Sequence, residues 1–193
     1  MNMRMTRGFT LVELLVVLVI AGILFGYAVP GMRVYIQNGR IVTYTNELIA
    51  DLSLARSEAI KRAGRVVICK SANPQAAVPT CTNAGNWTTG RLVFVDAGVG
   101  VPPVYNNTYS PADNDVILRV RNSIEFADGT MTANQSPSGV QVNFITFTKL
   151  GMTTIDPAQQ AAFSVCDERL NTKGRLISVN AVGRTILGRP DAC

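Results

Sequence analysis

The feature that most constrains this chain is an uninterrupted apolar run near its start. The twenty-one residues from Phe9 to Val29 contain a single formal charge, which is Glu13. A helix of this length spans about 30 Å, the thickness of the hydrocarbon core of a bilayer. We therefore predict a transmembrane helix over residues 9–29. A carboxylate inside hydrocarbon costs about 2.5–3.5 kcal/mol of insertion free energy, so we expect Glu13 to have a charged partner and a function.

The residues that flank this run predict its topology. Arg4 and Arg7 precede it, and basic residues favour the cytoplasmic side of a membrane. The rest of the chain is then expected outside the cytoplasm. A cleaved secretory signal would have a shorter apolar region followed by a small-residue cleavage site, and this pattern is not seen after residue 29.

The residues around this junction resemble a known processing motif. The segment 7–15 (RGFTLVELL) is similar to the class III leader of type IV pilins and type II secretion pseudopilins. The resemblance implies that a prepilin peptidase removes the leader, residues 1–8, by cutting between Gly8 and Phe9, and that Phe9 is N-methylated. It also implies that Glu13 helps to dock the subunit into a filament. A plain signal anchor with an incidental glutamate is the alternative.

Elementary electrostatics agrees with this implied processing. Cutting before Phe9 creates an ammonium group at the edge of the apolar run. That ammonium would pair with the Glu13 carboxylate of a neighbouring subunit, so that neither charge stays unpaired in lipid.

An amphipathic helix is predicted over residues 30–63. Pro30 and Gly31 are expected to break or kink the chain at its start. Apolar side chains then recur every three or four residues, and polar ones lie largely on the other side. The apolar positions are Ile41, Tyr44, Leu48, Leu52, Ala55 and Ala59. The polar positions are Arg40, Glu47, Asp51, Arg56, Glu58 and Lys61.

Residues 64–193 are predicted to form a β-rich periplasmic head. Short runs of β-branched and aromatic residues alternate with turn-rich segments, as in an antiparallel meander. The predicted strands are Arg65–Lys70, Arg91–Asp96, Val116–Val120, Val140–Leu150, Ala162–Cys166, Leu176–Asn180 and Arg184–Leu187. The predicted long loops are Gly98–Asp115 and Asp128–Gly139. The order of one helix followed by a sheet predicts an α+β fold, with the helix packed on an antiparallel sheet.

Three segments of this region resemble one branch of the filament proteins. Leu52–Arg62, Val66–Ser71 and Gly90–Asp96 are similar to the GspH/FimT/FimU family. The resemblance implies a minor pilin that is anchored in the inner membrane and joins other minor and major pilins in a complex that primes pilus assembly and sits at the tip. A GspH-type pseudopilin of type II secretion is an alternative that the sequence separates poorly.

Four cysteines all lie beyond the apolar run. An even number in an oxidising compartment favours disulfides, and four cysteines allow three pairings. We favour Cys69 with Cys81, which closes a local loop, and then Cys166 with Cys193, which would tether the C-terminal tail. A metal site is not expected, because the chain has no histidine and no Cys-x-x-Cys pair.

The sequence offers little for catalysis. It has no histidine and no Walker-type glycine loop, so neither an enzyme nor a bound cofactor is predicted. The single adjacent acidic pair, Asp167 and Glu168, would face opposite ways in an extended strand. The formal charge of +5 is a mild bias, part of which the leader carries.

A basic cluster near the C-terminus suggests a further alternative, DNA binding in natural transformation. Its members are Lys173, Arg175, Arg184 and Arg189, around a turn predicted at Asn180–Gly183. FimT-like pilins carry a Gly-Arg-x-Arg element near this point, and here Ile186 replaces the second arginine. Charges that discourage pairing at a solvated sheet edge are the favoured explanation.

Overall fold

The computed structural model describes residues 9–124, 129–167 and 174–189. The chain forms two compact units, residues 1–39 and residues 40–193, and the second is called the head unit below. One α-helix, α1 (Leu11–Lys61), contributes residues to both. The helix continues through Pro30 and Gly31, so the predicted break is wrong, and the alternative of a kink stays a prediction. A proline removes one backbone donor, and a long helix keeps the rest of its hydrogen-bond ladder.

The first unit presents an apolar surface along the start of α1. The exposed large apolar side chains between residues 9 and 25 are Phe9, Leu11, Val12, Leu14, Leu15, Val16, Val17, Leu18, Val19, Ile20, Ile23, Leu24 and Phe25. In the part of the chain that the structure describes, no helix combines the length and the apolar character that crossing a membrane requires.

The head unit contains two antiparallel sheets of four strands each. The strands are β1 (Arg65–Lys70), β2 (Arg91–Asp96), β3 (Val116–Arg121), β4 (Thr130–Ser136), β5 (Phe144–Phe147), β6 (Gln160–Cys166), β7 (Arg175–Asn180) and β8 (Thr185–Gly188). Their spatial orders are β3-β2-β1-β5 and β4-β6-β7-β8. The predicted α+β class is confirmed, with the sheet divided in two.

Two of the strand and loop predictions are wrong, and the division of the sheet explains the second. β4 lies in the segment 128–139 that was predicted as a loop. β5 is four residues long, although a strand was predicted over 140–150. The N–H of Val142 donates to Ala133 in the second sheet, whereas the carbonyl of Asn143 accepts from Lys70 in the first. The chain changes sheets between these two residues, which shortens the strand.

The main hydrophobic core is shared by α1 and both sheets. The predicted apolar positions Ile41, Leu48, Leu52, Ala55 and Ala59 are all buried in it. Each sheet contributes alternate side chains, as the period of two requires. At the centre, the Trp87 ring packs edge-on against Phe163 with ring centroids 5.0 Å apart. The indole Nε1 donates to the carbonyl of Val142 at 2.9 Å.

A buried ionic cluster connects α1 to the first sheet. Asp51 was predicted on the polar face of the helix, and that prediction is wrong because its side chain is fully buried. Its carboxylate lies 3.2 Å from Arg91 Nη2 on β2, 3.0 Å from Arg119 Nη1 and 3.2 Å from Arg121 Nε on β3. Glu47, one helical turn earlier, lies 3.8 Å from Arg91 Nη2.

Arg91 is the cation of the cluster that is removed from water, since its side chain is 1% exposed. Burial lowers the pKa of the Arg91 guanidinium, and the Asp51 carboxylate opposes that shift. An arginine stays protonated in proteins, so the buried positive charge of Arg91 depends on the Asp51 carboxylate as its counter-ion. Removing one partner of such a pair leaves the other buried and unpaired.

We expect Asp51→Ala to lower the free energy of unfolding by about 3–5 kcal/mol, because Arg91 then loses its buried counter-ion. Urea unfolding of the purified full-length chain measures this. Glu58→Ala is the matched control, since Glu58 lies on the same helix and makes exposed pairs with Lys61 and Arg62. Equal effects of the two substitutions would contradict the role assigned to Asp51.

Candidate functional site

The predicted processing site lies directly before α1. Phe9 is exposed, and the helix begins two residues later at Leu11. Thr10 caps it, because its Oγ1 accepts a hydrogen bond from the backbone N–H of Glu13 at 3.3 Å. The pair Thr10 and Glu13 has the spacing of a capping box. Gly8 lies outside the described residues, so cleavage between Gly8 and Phe9 and methylation of Phe9 stay predictions.

The electrostatics of this helix end bear on the predicted docking role of Glu13. The N-terminus of a helix carries a partial positive charge, which favours an acidic side chain in the first turn. Glu13 occupies that turn and is exposed. An ammonium created at Phe9 would add a second positive charge beside the helix end. Such a charge needs a carboxylate, and Glu13 is the acidic residue of the first turn.

The first favoured disulfide is confirmed. Cys69 at the end of β1 and Cys81 are bonded, with an S–S distance of 2.01 Å and Cα atoms 5.7 Å apart. Cys69 packs with Val67, Leu92 and Phe94 in a small cluster separate from the main core. Cys166 is buried at the end of β6 and is not a free thiol.

The second favoured pairing, Cys166 with Cys193, stays a prediction. Cys193 lies outside the described residues.

The segment that follows Cys81 is held by a lysine that sequence analysis missed. Lys70 is fully buried, and its Nζ donates to the carbonyls of Gly85 at 2.8 Å and Asn83 at 3.2 Å. Its own carbonyl accepts from the N–H of Thr82 at 2.9 Å. Burial lowers the pKa of the Lys70 ammonium. A lysine at the end of an apolar strand is ordinarily solvated, so its position gave no signal of burial.

The predicted basic cluster is not brought together. Arg175 begins β7, and its neighbour Leu176 pairs with Gly188, which places Arg189 at the same end of the β7–β8 hairpin. Arg184 follows the turn at the other end, about 17 Å from Arg189 at 3.4 Å per residue. Lys173 lies outside the described residues. The arginines of the cluster therefore occupy two ends of one hairpin.

The turn between β7 and β8 is confirmed at the predicted residues. The N–H of Gly183 donates to the carbonyl of Asn180 at 2.9 Å, and the N–H of Arg184 donates to Asn180 Oδ1 at 3.0 Å. Arg184 is exposed next to this turn.

The described residues beside β5 do not form an arrangement that would indicate catalysis. A cleft of about 420 Å³ beside β5 is lined by polar side chains that include Arg65, Asn107, Gln135 and Asn143, without a carboxylate, thiol or lysine. Among the residues that the structure describes, no three potential metal ligands lie together. The expectation that the chain is not an enzyme and holds no metal stays a prediction.

Breaking the Cys69–Cys81 bond should lower the free energy of unfolding by about 2–4 kcal/mol, because the unfolded chain regains the freedom of the closed loop. Chemical denaturation of Cys69→Ala/Cys81→Ala against the parent chain measures this. The parent unfolded in the presence of a reductant should lose at least as much stability as the double variant. An unchanged denaturation midpoint in the double variant would contradict this prediction. It would show that the contacts of Lys70 with residues 82–85 hold this region without the disulfide.

Comparisons with known proteins agree with this geometry. The family model described as "Type II transport protein GspH" matches residues 44–183, and that of the prokaryotic N-terminal methylation motif matches residues 3–29. No curated protein matches the chain.

Two solved structures are similar, and both are the type IV minor pilin FimU of Pseudomonas aeruginosa strain PAO1. The crystal form in space group P21 has a TM-score of 0.53 and 21% identity over 82% of this chain and 98% of that chain. The form in space group P65 has a TM-score of 0.48 and 23% identity over 77% and 95%. The P21 form shows a shared fold. Because the GspH model matches most of the chain and the methylation motif precedes it, this protein belongs to the GspH family of type IV pilin-like proteins.

Proposed function

We propose that this chain is a minor pilin that is processed by a prepilin peptidase and helps to initiate the assembly of a type IV pilus. The observation that carries the proposal is the combination of the methylation motif over residues 3–29 with an exposed apolar surface on the start of α1. An apolar surface of this extent needs a cover in water. The proposed covers are the lipid of the inner membrane before assembly and the helices of neighbouring pilins afterwards.

Apolar contact supplies the free energy of this association, and Glu13 supplies its register. Burying one Leu, Val or Ile side chain is worth about 1.5–3 kcal/mol, and α1 exposes many of them. Contact of this kind has no preferred direction. A pair between Glu13 and the ammonium of a neighbouring Phe9 is directional, so it would select one axial offset between subunits.

Insertion of residues 9–29 into the membrane is part of this proposal. It is supported by the methylation motif, which covers the same residues, and by the basic residues Arg4 and Arg7 ahead of them. The head unit would then lie in the periplasm. That compartment suits the Cys69–Cys81 disulfide, since disulfides persist in oxidising surroundings.

The proposed partners are other minor and major pilins in a priming complex at the pilus tip. The support is the fold shared with FimU, which is itself a type IV minor pilin. A second candidate function is favoured by the description of the matching family, "Type II transport protein GspH". In that case the same architecture would serve in a secretion pseudopilus. Deleting the gene distinguishes the two, because loss of surface pili supports the first and loss of protein secretion supports the second.

Replacing Gly8 with leucine should leave an uncut precursor, because a bulky residue at the cleaved bond does not suit the peptidase. The measurement is the gel mobility of the membrane-bound chain in cells that contain a prepilin peptidase. The parent chain in cells without the peptidase gives the reference mobility of the precursor. Complete cleavage of Gly8→Leu would contradict the assigned cleavage site.

Glu13→Ala should leave the amount of chain in the membrane fraction unchanged, because apolar side chains carry insertion. Its incorporation into sheared filaments should fall about tenfold if the lost pair is worth about 1.4 kcal/mol. Asp113→Ala, which removes a partly buried carboxylate of the head unit, is the control and should incorporate normally. Normal incorporation of Glu13→Ala would refute the docking role.

A further inference from the structure

Three segments converge at the end of the head unit where α1 ends. They are the last turns of the helix, the turn that follows β5, and the turn between β7 and β8. An added Cβ at Gly151 would come within 2.7 Å of Ile60 Cδ1, and one at Gly183 would collide with the carbonyl oxygen of Gly151. Both glycines have positive φ, at +72° and +76°, which side chains disfavour. The close approach of the segments therefore depends on glycine.

Hydrogen bonds hold the same segments together. Arg56 on α1 donates from Nη2 to the carbonyl of Val182 at 3.3 Å. The N–H of Thr153 donates to the carbonyl of Ala181 at 2.8 Å, and Thr153 Oγ1 donates to that of Asn180 at 3.1 Å. The surface built on these segments is therefore ordered before any partner arrives, which reduces the entropy cost of binding.

This ordered surface exposes four aliphatic side chains, which we call the apolar patch. Their exposed fractions are 51% for Ile60, 72% for Leu150, 42% for Met152 and 59% for Val182. Single exposed apolar residues are normal on a protein surface, but a group drawn from three segments onto one packed junction marks an interaction site.

The charges around the apolar patch are positive. Arg56 donates a hydrogen bond to Val182, and its Nε would lie 3.1 Å from a Cβ added at Gly151. Lys149 precedes Leu150, and Arg184 follows the β7–β8 turn. In the segments 56–62, 148–154 and 180–185, all of which the structure describes, the one carboxylate is that of Glu58. It pairs with Arg62 Nε at 2.6 Å and with Lys61 Nζ at 3.6 Å.

We propose that the apolar patch and its cationic rim form a protein-docking surface for another subunit of the same assembly, one that presents apolar side chains ringed by carboxylates. The proposal rests on the proposed function in the choice of partner. The rim has surplus positive charge, so an acidic surface complements it and a basic one is repelled.

Nucleic acid fits this surface less well. The centre of the apolar patch is aliphatic and has no aromatic ring on which a base would stack. One arginine of the cationic rim, Arg56, already donates a hydrogen bond to the carbonyl of Val182. Buried apolar area at the centre and charges at the rim are the arrangement that protein interfaces use.

Site-specific photo-crosslinking in producing cells tests the proposal with the full chain. A benzophenone amino acid replaces Val182, and Val140 is the matched control because it is also a valine with a 59% exposed side chain. We expect an adduct from position 182 that position 140 does not give, with a crosslinked partner peptide that carries Asp or Glu beside apolar residues.

Charge reversal then tests the rim. Lys149→Glu/Arg184→Glu should reduce the yield of this adduct about tenfold or more, whereas Arg40→Glu/Arg189→Glu, which reverses two exposed arginines elsewhere, should leave it unchanged. Thermal melting checks that both double variants are folded. Lys149→Gln/Arg184→Gln provides a milder variant that removes the charges without reversing them. Equal adducts from positions 182 and 140, insensitivity to charge reversal, a partner peptide without carboxylates, or a nuclease-sensitive adduct would each overturn the proposal.

Measurements in the same cells distinguish failure of the docking surface from failure of the proposed function. If the parent chain is present in sheared filaments and position 182 gives no specific adduct, the docking surface is wrong and the pilin function stands. If the chain is absent from filaments and position 182 still crosslinks to a subunit with an acidic surface, the assembly role fails while the docking surface holds.

Discussion

The contact between Asp51 and Arg91 is the constraint on which the head unit depends. Apolar side chains attract the helix to the sheets without selecting one rotation, because hydrophobic contact is non-directional. The buried carboxylate does select one, since it meets three arginines from β2 and β3 in a single orientation of α1. Two of those arginines remain about one-third exposed, so Arg91, with its side chain 1% exposed, carries most of the desolvation cost. The core of a small head is therefore organised around charges that neither the helix nor the sheet could hold alone.

The chain assigns different physical tasks to its two units. In the proposed function, the exposed apolar side chains of the first unit would supply free energy for association, and the Glu13 carboxylate near the helix start would give that association a register. The head unit is stabilised by its own internal contacts, which are a disulfide, a buried lysine and an ionic cluster. A stable head on an associating helix is the arrangement that the proposed filament subunit would require.

Local patterns predicted the parts of the fold that depend on local information. β1 and β2 have their predicted bounds because each has an unbroken apolar run, Val66–Cys69 and Leu92–Val95, with a charged residue at both ends. β4 escaped prediction because its inward side chains are only Met131 and Ala133 among polar neighbours. Asp51 escaped for another reason: a polar residue at a helical spacing predicts exposure, and the arginines that bury it lie at least 40 residues further along the chain. The basic residues near the C-terminus were grouped because they are close in sequence. In the structure, Arg184 lies at the opposite end of the β7–β8 hairpin from Arg175 and Arg189.

Trimming of the start of this chain, which would create a docking terminus, underlies the proposed function. Mass spectrometry of the intact protein isolated from its native envelope is the decisive experiment. We expect a polypeptide that begins at Phe9 and carries one added methyl group on its terminal nitrogen. A polypeptide that still begins at Met1, in cells whose other pilins are correctly trimmed, would contradict it.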